Sequence, residues 1–190
     1  KDNFGICLSA LGKRNNWLEP LLLARESLPN FSLCLDETEK IHILYQDRSG
    51  NLLHTNSTDK NWETTPVLNS KNPSSYEKYL YVISNGKTHY FFYILEYGGN
   101  KLLSYQFMNE AGTLSKPKVI DYVTMGKMPY KVVSGEDNLY IIYRSADTKH
   151  PGIGFRKYIS SSDQWSEFHK IVEDNTDIEL LSATTDFMNN

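Results

Sequence analysis

Apolar and polar positions alternate in short runs through residues 31–68, and none of these runs has the length or the period of a helix. Residues 31–35 and 41–45 are rich in β-branched and aromatic side chains, a composition typical of half-buried strands. A turn that contains a glycine follows at residues 47–51, and residues 52–68 predict a third and a fourth strand. The pattern therefore predicts an antiparallel meander of four strands in about 40 residues.

The same order of strands and turns recurs along the chain. It predicts the second half of such a unit at residues 4–24, complete units at residues 78–120 and 130–172, and an opening strand at residues 178–185. We therefore expect an all-β fold of repeated four-stranded antiparallel sheets, with about four units, an incomplete last one, and a single domain over all 190 residues.

The tryptophans support the repeat independently. Trp62 follows Trp17 by about 45 residues, Trp165 follows at about twice that spacing, and Leu114 stands near the midpoint. Each position comes just before the last strand of its unit, where an indole could stack on a sugar ring or pack between neighbouring sheets. The leucine favours packing, because it preserves an apolar contact but offers no stacking surface.

Two segments share a partial motif at this position. Residues 57–62 and 161–165 keep the serine, aspartate and tryptophan of the Asp-box, Ser-x-Asp-x-Gly-x-x-Trp, but lack its glycine. Together with the four-stranded units, they resemble the blades of lectin-like and sialidase-like β-propellers over nearly the whole chain. The resemblance implies a β-propeller and concerns architecture alone, since the Asp-box is incomplete and the Trp-Asp dipeptide of another propeller class is absent.

The ends of the pattern bear on assembly. A propeller closes its ring or leaves open sheet edges, which invite pairing with other chains. The predicted half unit at residues 4–24 and the predicted strand at residues 178–185 could complete one unit within the chain or between chains, as a homo-oligomer. The third alternative is a fragment of a longer propeller.

Charge and composition argue against several partners. Acidic and basic residues are interspersed and the formal net charge is −3, so we expect no nucleic-acid partner. No apolar run approaches the ~20 residues of a membrane span. The five histidines show no metal-ligand spacing and no glycine-rich phosphate loop occurs, so we expect neither a metal nor a cofactor.

Cys7 and Cys34 lie inside apolar strand patterns rather than in a Cys-x-x-Cys motif. A disulfide between them is one alternative, but buried thiols are favoured, because an unpaired cysteine behaves as a small apolar side chain. A start at Lys1 fits a mature secreted chain, a trimmed chain or an excised fragment, so the localisation stays open between secreted and cytoplasmic.

Candidate binding residues lie in loops on one rim of the predicted propeller. The loops after the second strands share this rim with the linkers between units. Mixed charge with aromatic residues suits a polar ligand, whereas solvated loops are the ordinary alternative. The candidates are Arg48, Tyr76, Glu96, Tyr122, Arg144 and His150.

These observations favour a non-catalytic binding module. Recognition of a carbohydrate or a cell-surface ligand on the rim is the first hypothesis, and a scaffold for protein interactions is the second. The third is a degenerate glycoside hydrolase of the sialidase-like type, for which Asp47, Glu96 and Asp147 offer carboxylates, although each lies in an ordinary turn. Sialidase chemistry would also need clustered arginines, whereas Arg144 and Arg156 lie on different predicted elements.

Overall fold

The computed structural model describes residues 5–13, 15–58, 61–70, 77–135, 138–149, 151–173 and 181–184. These residues form antiparallel strands joined by turns and loops, which confirms the predicted all-β fold. No helix among them has the length and apolarity that a membrane crossing requires. The chain divides into two compact units, Lys1–Val82 and Ile83–Asn190.

The first unit contains a hairpin and a four-stranded sheet. Its strands are β1 (Gly5–Leu8), β2 (Leu21–Arg25), β3 (Ser27–Leu35), β4 (Ile41–Asp47), β5 (Leu52–Ser57) and β6 (Trp62–Leu68). β1 pairs with β2, and the sheet has the order β3–β4–β5–β6. Because side chains alternate between the two faces of a strand, Ile6 and Ala24 of the hairpin can pack on Ile43 and Tyr45 of the sheet to form the core.

The second unit contains two sheets, and its boundary with the first unit falls within β7. The strands are β7 (Tyr81–Asn85), β8 (Thr88–Tyr97), β9 (Asn100–Met108), β10 (Lys118–Tyr122), β11 (Tyr130–Ser134), β12 (Leu139–Ser145), β13 (Gly152–Ile159), β14 (Gln164–Trp165) and β15 (His169–Val172). One sheet has the order β10–β9–β8–β7. The other has the order β11–β12–β13, and β14 and β15 share the outer edge of β13.

Asn85 and Gly86 form the hairpin turn that an Asn-Gly pair between two strand patterns predicts, since β7 ends at Asn85, β8 begins at Thr88 and Gly86 has a φ of 55°. The predicted half unit forms the hairpin of β1 and β2. Residues 181–184 form no strand, and the rest of the predicted strand at residues 178–185 lies outside the described residues.

Aromatic side chains fill the space between the two sheets of the second unit. The Trp165 ring centroid lies 6.0 Å from that of Phe92 and 5.7 Å from that of Tyr105, and both contacts are edge-to-face. Such pairs add about 0.5–1.5 kcal/mol beyond the area that they bury. The packing interpretation is confirmed for Trp165, and Trp62 also packs against the core of its unit. Trp17 departs from it, because 71% of its surface is exposed.

Cys7 and Cys34 form no disulfide. Cys7 is exposed, so the expectation of a buried thiol is wrong for this residue. The cause is strand alternation: Ile6 points into the core, and its neighbour on β1 therefore points outward.

Candidate functional site

Glu96, Tyr122 and Arg144 lie at one end of the sheets of the second unit. The Thr124 N–H donates to the Arg144 carbonyl at 2.9 Å, and the Ala146 N–H donates to the Tyr122 carbonyl at 3.0 Å. The same linker after β10 bonds to the β8–β9 hairpin, in which Glu96 lies. The structure thus brings the backbones of these three candidates together.

Their side chains nevertheless point in different directions. Residues that face each other across an antiparallel pair project from the same face of the sheet. Glu96 is paired with Lys101, and Tyr122 is paired with Leu102. Since Lys101 and Leu102 are neighbours on β9, Glu96 and Tyr122 lie on opposite faces of one sheet.

Arg48 belongs to the first unit, where it follows β4 in an exposed turn. Its N–H donates to the Glu26 carbonyl at 3.2 Å, in the link between β2 and β3. The turn after β4 therefore contacts the segment that precedes its own sheet, as the end of β12 does in the second unit. The candidates Tyr76 and His150 lie outside the described residues.

The charged side chains of β8, β9 and β10 all project from one face of their sheet. Each charged residue is either an odd-numbered residue of β9 or is paired with one across the sheet. The face that these odd-numbered residues share packs on the neighbouring sheet. On this face, the Lys101 ammonium lies 2.5 Å from the Glu96 carboxylate. The opposite face of these three strands carries no Asp, Glu, Lys or Arg side chain. The charged residues are Glu96, Lys101, Lys118 and Asp121.

Two exposed tyrosines lie on the uncharged face. Tyr122 is paired with Leu102, which is in turn paired with Leu95. Tyr97 lies two residues beyond Leu95 on β8, so Tyr97 and Tyr122 project from the same face. Tyr97 is 79% exposed and Tyr122 is 48% exposed. Asn100 is paired with Tyr97. We call Leu95, Tyr97, Asn100, Leu102 and Tyr122 the tyrosine platform. Strand spacing places the Cα atoms of its two tyrosines about 12 Å apart.

The turn after β8 determines where Tyr97 stands. Gly98 and Gly99 have φ values of 57° and 80°, the left-handed conformation that a two-residue hairpin turn demands. A side chain at either glycine would meet open space, so the glycines serve the backbone rather than packing. Tyr97 is not among the binding residues predicted from the sequence, although its position directly before this turn was an available signal.

A buried polar network joins the two sheets of the second unit. The Tyr143 hydroxyl donates to Asp121 Oδ2 at 2.5 Å, and Arg156 donates to the same oxygen at 2.9 Å and to the Tyr143 hydroxyl at 2.8 Å. Burial raises the pKa of Tyr143, and the hydrogen bond to Asp121 raises it further. Because Tyr143 faces this network, the side chain of Arg144 projects from the other face of its sheet.

Asp163, from the incomplete Asp-box, also links the two sheets. It accepts hydrogen bonds from Tyr158 at 2.8 Å, from Tyr105 at 3.3 Å, and from Lys118. Burial alone would raise the pKa of Asp163, but the bonds from Lys118 and Tyr158 outweigh it and lower the pKa. Tyr105 and Lys118 of one sheet and Tyr158 of the other thus bond to the same carboxylate. This gives the aspartate of the motif a structural role.

Two histidines of the first unit are buried and mutually bonded. His42 Nδ1 lies 3.0 Å from His54 Nε2, and His42 Nε2 lies 3.2 Å from Asp36 Oδ2. The carboxylate can only accept, so His42 carries its proton on Nε2, and His54 donates to His42 Nδ1. The two rings thus link β4 to β5 and to the turn after β3 through hydrogen bonds.

The carboxylates considered for glycoside hydrolysis stabilise turns. Asp47 accepts from the Asn51 backbone and side chain at 2.9 and 2.8 Å, and Asp147 accepts from the Lys149 N–H at 3.0 Å. A glycoside hydrolase of the sialidase-like type uses a tyrosine nucleophile, which needs a lowered pKa. The pKa of Tyr143 is instead raised by burial. These contacts offer no support for the hydrolase hypothesis.

Comparison with known proteins finds no matching family model and no matching curated protein. Among solved structures, the chain is similar to the BP39L lectin from Burkholderia pseudomallei, with a TM-score of 0.60 and 14% identity over 83% of this chain and 46% of the lectin. The chain thus spans a little under half of that lectin's length. A second match, to YjhT, has a TM-score of 0.44 and 10% identity over 74% of this chain and 52% of the other. The likeness to the lectin shows a lectin-like all-β fold.

Proposed function

We propose that this chain is a β-propeller module that binds carbohydrate without catalysis. The proposal is supported by sheets of one common strand order, by Trp165 at the contact of two successive sheets, and by the lectin-like fold. In this proposal the whole chain is one propeller domain, and its four-stranded sheets are blades.

The tyrosine platform is the observation that carries the proposal. A pyranose presents an apolar C–H face, which packs on an exposed aromatic ring, and its hydroxyls need donors and acceptors nearby. Tyr97 and Tyr122 offer two such rings on one face, and the amide of Asn100 offers both a donor and an acceptor. The half-buried Leu95 and Leu102 form an apolar floor between them.

A glycan array tests this function. The wild-type chain is compared with Tyr97→Ala, with Tyr122→Ala, and with the control Ile171→Ala, which removes an exposed apolar side chain from β15. We expect each tyrosine variant to lose at least about tenfold in affinity, or about 1.4 kcal/mol, and the control to bind as the wild type does. Absence of binding to any glycan at millimolar concentration would refute the proposal.

A second candidate is self-association, a form of the protein-interaction hypothesis. Three apolar side chains are exposed on one face of β3: Phe31, Leu33 and Leu35. β3 lies beside β1, and the outer edge of β1 has no partner among the described strands. Exposed apolar faces and open sheet edges are both sites of pairing between chains. If a strand of a second copy covers them, light scattering will give a multiple of 21.9 kDa. Leu33→Lys should then restore the monomer, and a wild-type monomer would exclude this arrangement.

A further inference from the structure

The spacing and charge of the tyrosine platform bear on the class of carbohydrate, an inference that rests on the proposed function. We infer that the platform takes an uncharged oligosaccharide of two or more rings, and that neither a monosaccharide nor an acidic sugar is its ligand. Length, charge and hydrogen-bonding capacity each support part of this inference.

The length follows from the positions of the two tyrosines. Their Cα atoms are separated by two strand spacings and by two residues along the strand, about 12 Å in all. A pyranose ring is about the size of a tyrosine ring, so one sugar can lie on Tyr97 or on Tyr122 but cannot cover both. A ligand that uses the full platform therefore needs at least two rings.

The charge follows from the distribution of ionic groups over the sheet. Lys101 and Lys118 project from the opposite face, where they pair with Glu96 and Asp163. A sugar carboxylate on the platform would lose hydration and gain no cation of β8, β9 or β10 in exchange, which is unfavourable. A neutral sugar meets no such cost, because its hydroxyls can bond to Asn100 and to water.

Because β8, β9 and β10 place no Asp, Glu, Lys or Arg side chain on the face of the platform, they also predict how binding responds to salt. Attraction between charges weakens as the ionic strength rises, because the Debye length falls from about 10 Å at 0.1 M to about 3 Å at 1 M. Stacking on aromatic rings has no such dependence. Binding to the platform should therefore be nearly the same in both salt concentrations.

Calorimetric titration with paired probes tests the inference. N-acetylglucosamine against chitotriose and galactose against lactose vary the length, and lactose against sialyllactose varies the charge. We expect at least one neutral oligosaccharide to bind ten times more tightly than its monosaccharide, with an affinity that changes less than twofold between 0.1 and 1 M salt. Sialyllactose should bind no better than lactose.

Variants locate the effect on the platform. Tyr97→Ala and Tyr122→Ala should each reduce the oligosaccharide affinity about tenfold, whereas Tyr97→Phe keeps the ring and should change it less than threefold. Lys101→Gln, on the opposite face, is the matched control and should bind as the wild type does. Both tyrosines are exposed, so melting curves should show that the variants fold.

Two results would overturn the inference while leaving carbohydrate binding intact: a monosaccharide that binds as tightly as its oligosaccharide, or a salt-sensitive preference for sialyllactose. Binding of no sugar in the panel or on the array would overturn the proposed function, and the inference with it.

Discussion

Tyr143→Phe tests how the two sheets of the second unit are held together. The substitution keeps the ring, which packs on Phe168 at 5.3 Å between centroids, and removes only the hydroxyl. That hydroxyl donates to Asp121 at 2.5 Å and accepts from Arg156 at 2.8 Å. Tyr143 is fully buried and the Asp121 side chain is only 11% exposed, so water cannot easily replace the lost bonds.

The magnitude follows from the charged partners. A hydrogen bond to a charged group contributes about 1.5–3 kcal/mol net. Two such bonds are lost, but Arg156 still pairs with Asp121 at 2.9 Å, so the losses do not simply add. We expect the free energy of unfolding to fall by about 2–3 kcal/mol, which moves the urea midpoint by about 1–2 M for a typical denaturant slope.

Urea unfolding, followed by tryptophan fluorescence and by amide exchange in β12 and β13, measures this change. Tyr140→Phe is the matched control, because it lies on the same strand and its hydroxyl makes no hydrogen bond among the described residues. It should shift the free energy by less than about 0.5 kcal/mol. If Tyr143→Phe is equally mild, the hydroxyl does not couple the sheets. A cycle with Asp121→Asn should give a coupling energy of about 0.5–3 kcal/mol.

Two further predictions concern the same unit. The pKa of Asp163 is lowered in the fold, so its contribution to stability is complete above the unfolded value of about 3.9 and is lost as the pH falls through the folded value. Asp163→Asn should therefore lower the melting temperature at pH 7 and flatten its decline between pH 5 and 3, whereas Glu110→Gln, in an exposed ion pair, should leave that decline unchanged. Gly154→Ala places a Cβ against the His169 carbonyl oxygen, well inside van der Waals contact, and should cost about 1–3 kcal/mol in a urea titration. Gly12→Ala, with its nearest contact at 3.1 Å, should cost less, and equal effects would contradict the steric argument.

Strands and turns could be predicted from the sequence because they depend on neighbouring residues. The alternating pattern predicted β3 and β4 to within a few residues, and the Asn85–Gly86 pair marks the turn after β7. The four-stranded antiparallel sheets followed from these local patterns. The arrangement of those sheets as a propeller depends on contacts between distant segments and remains a proposal.

The candidate site was harder to predict, because a one-residue difference in position reverses the direction of a side chain. Glu96 was selected and Tyr97 was not, although they are neighbours that lie on opposite faces of the sheet. Tyr122 and Arg144 were selected together because their loops lie on the same predicted rim. The structure brings only their backbones together.

Burial was equally hard to infer for single polar residues. Lys78 is only 2% exposed, and burial lowers the pKa of its ammonium group. Nothing in its sequence neighbourhood distinguishes it from an exposed lysine, because its burial depends on segments that are distant along the chain, including Gln46, which accepts a hydrogen bond from its N–H at 3.2 Å. Cys7 shows the converse error. Its apolar neighbours predicted a buried thiol, but strand alternation leaves its side chain exposed.

Nuclear magnetic resonance mapping of a bound glycan shows directly whether the tyrosine platform is the binding site. The chain, labelled with nitrogen-15, is titrated with the glycan that binds most strongly on the array. If the tyrosine platform binds the glycan, the amide signals of Tyr97, Asn100 and Tyr122 should shift saturably, with smaller changes at Lys101. Shifts that cluster around Arg48 in the first unit, or no saturable shift anywhere, would rule out the platform as the binding site.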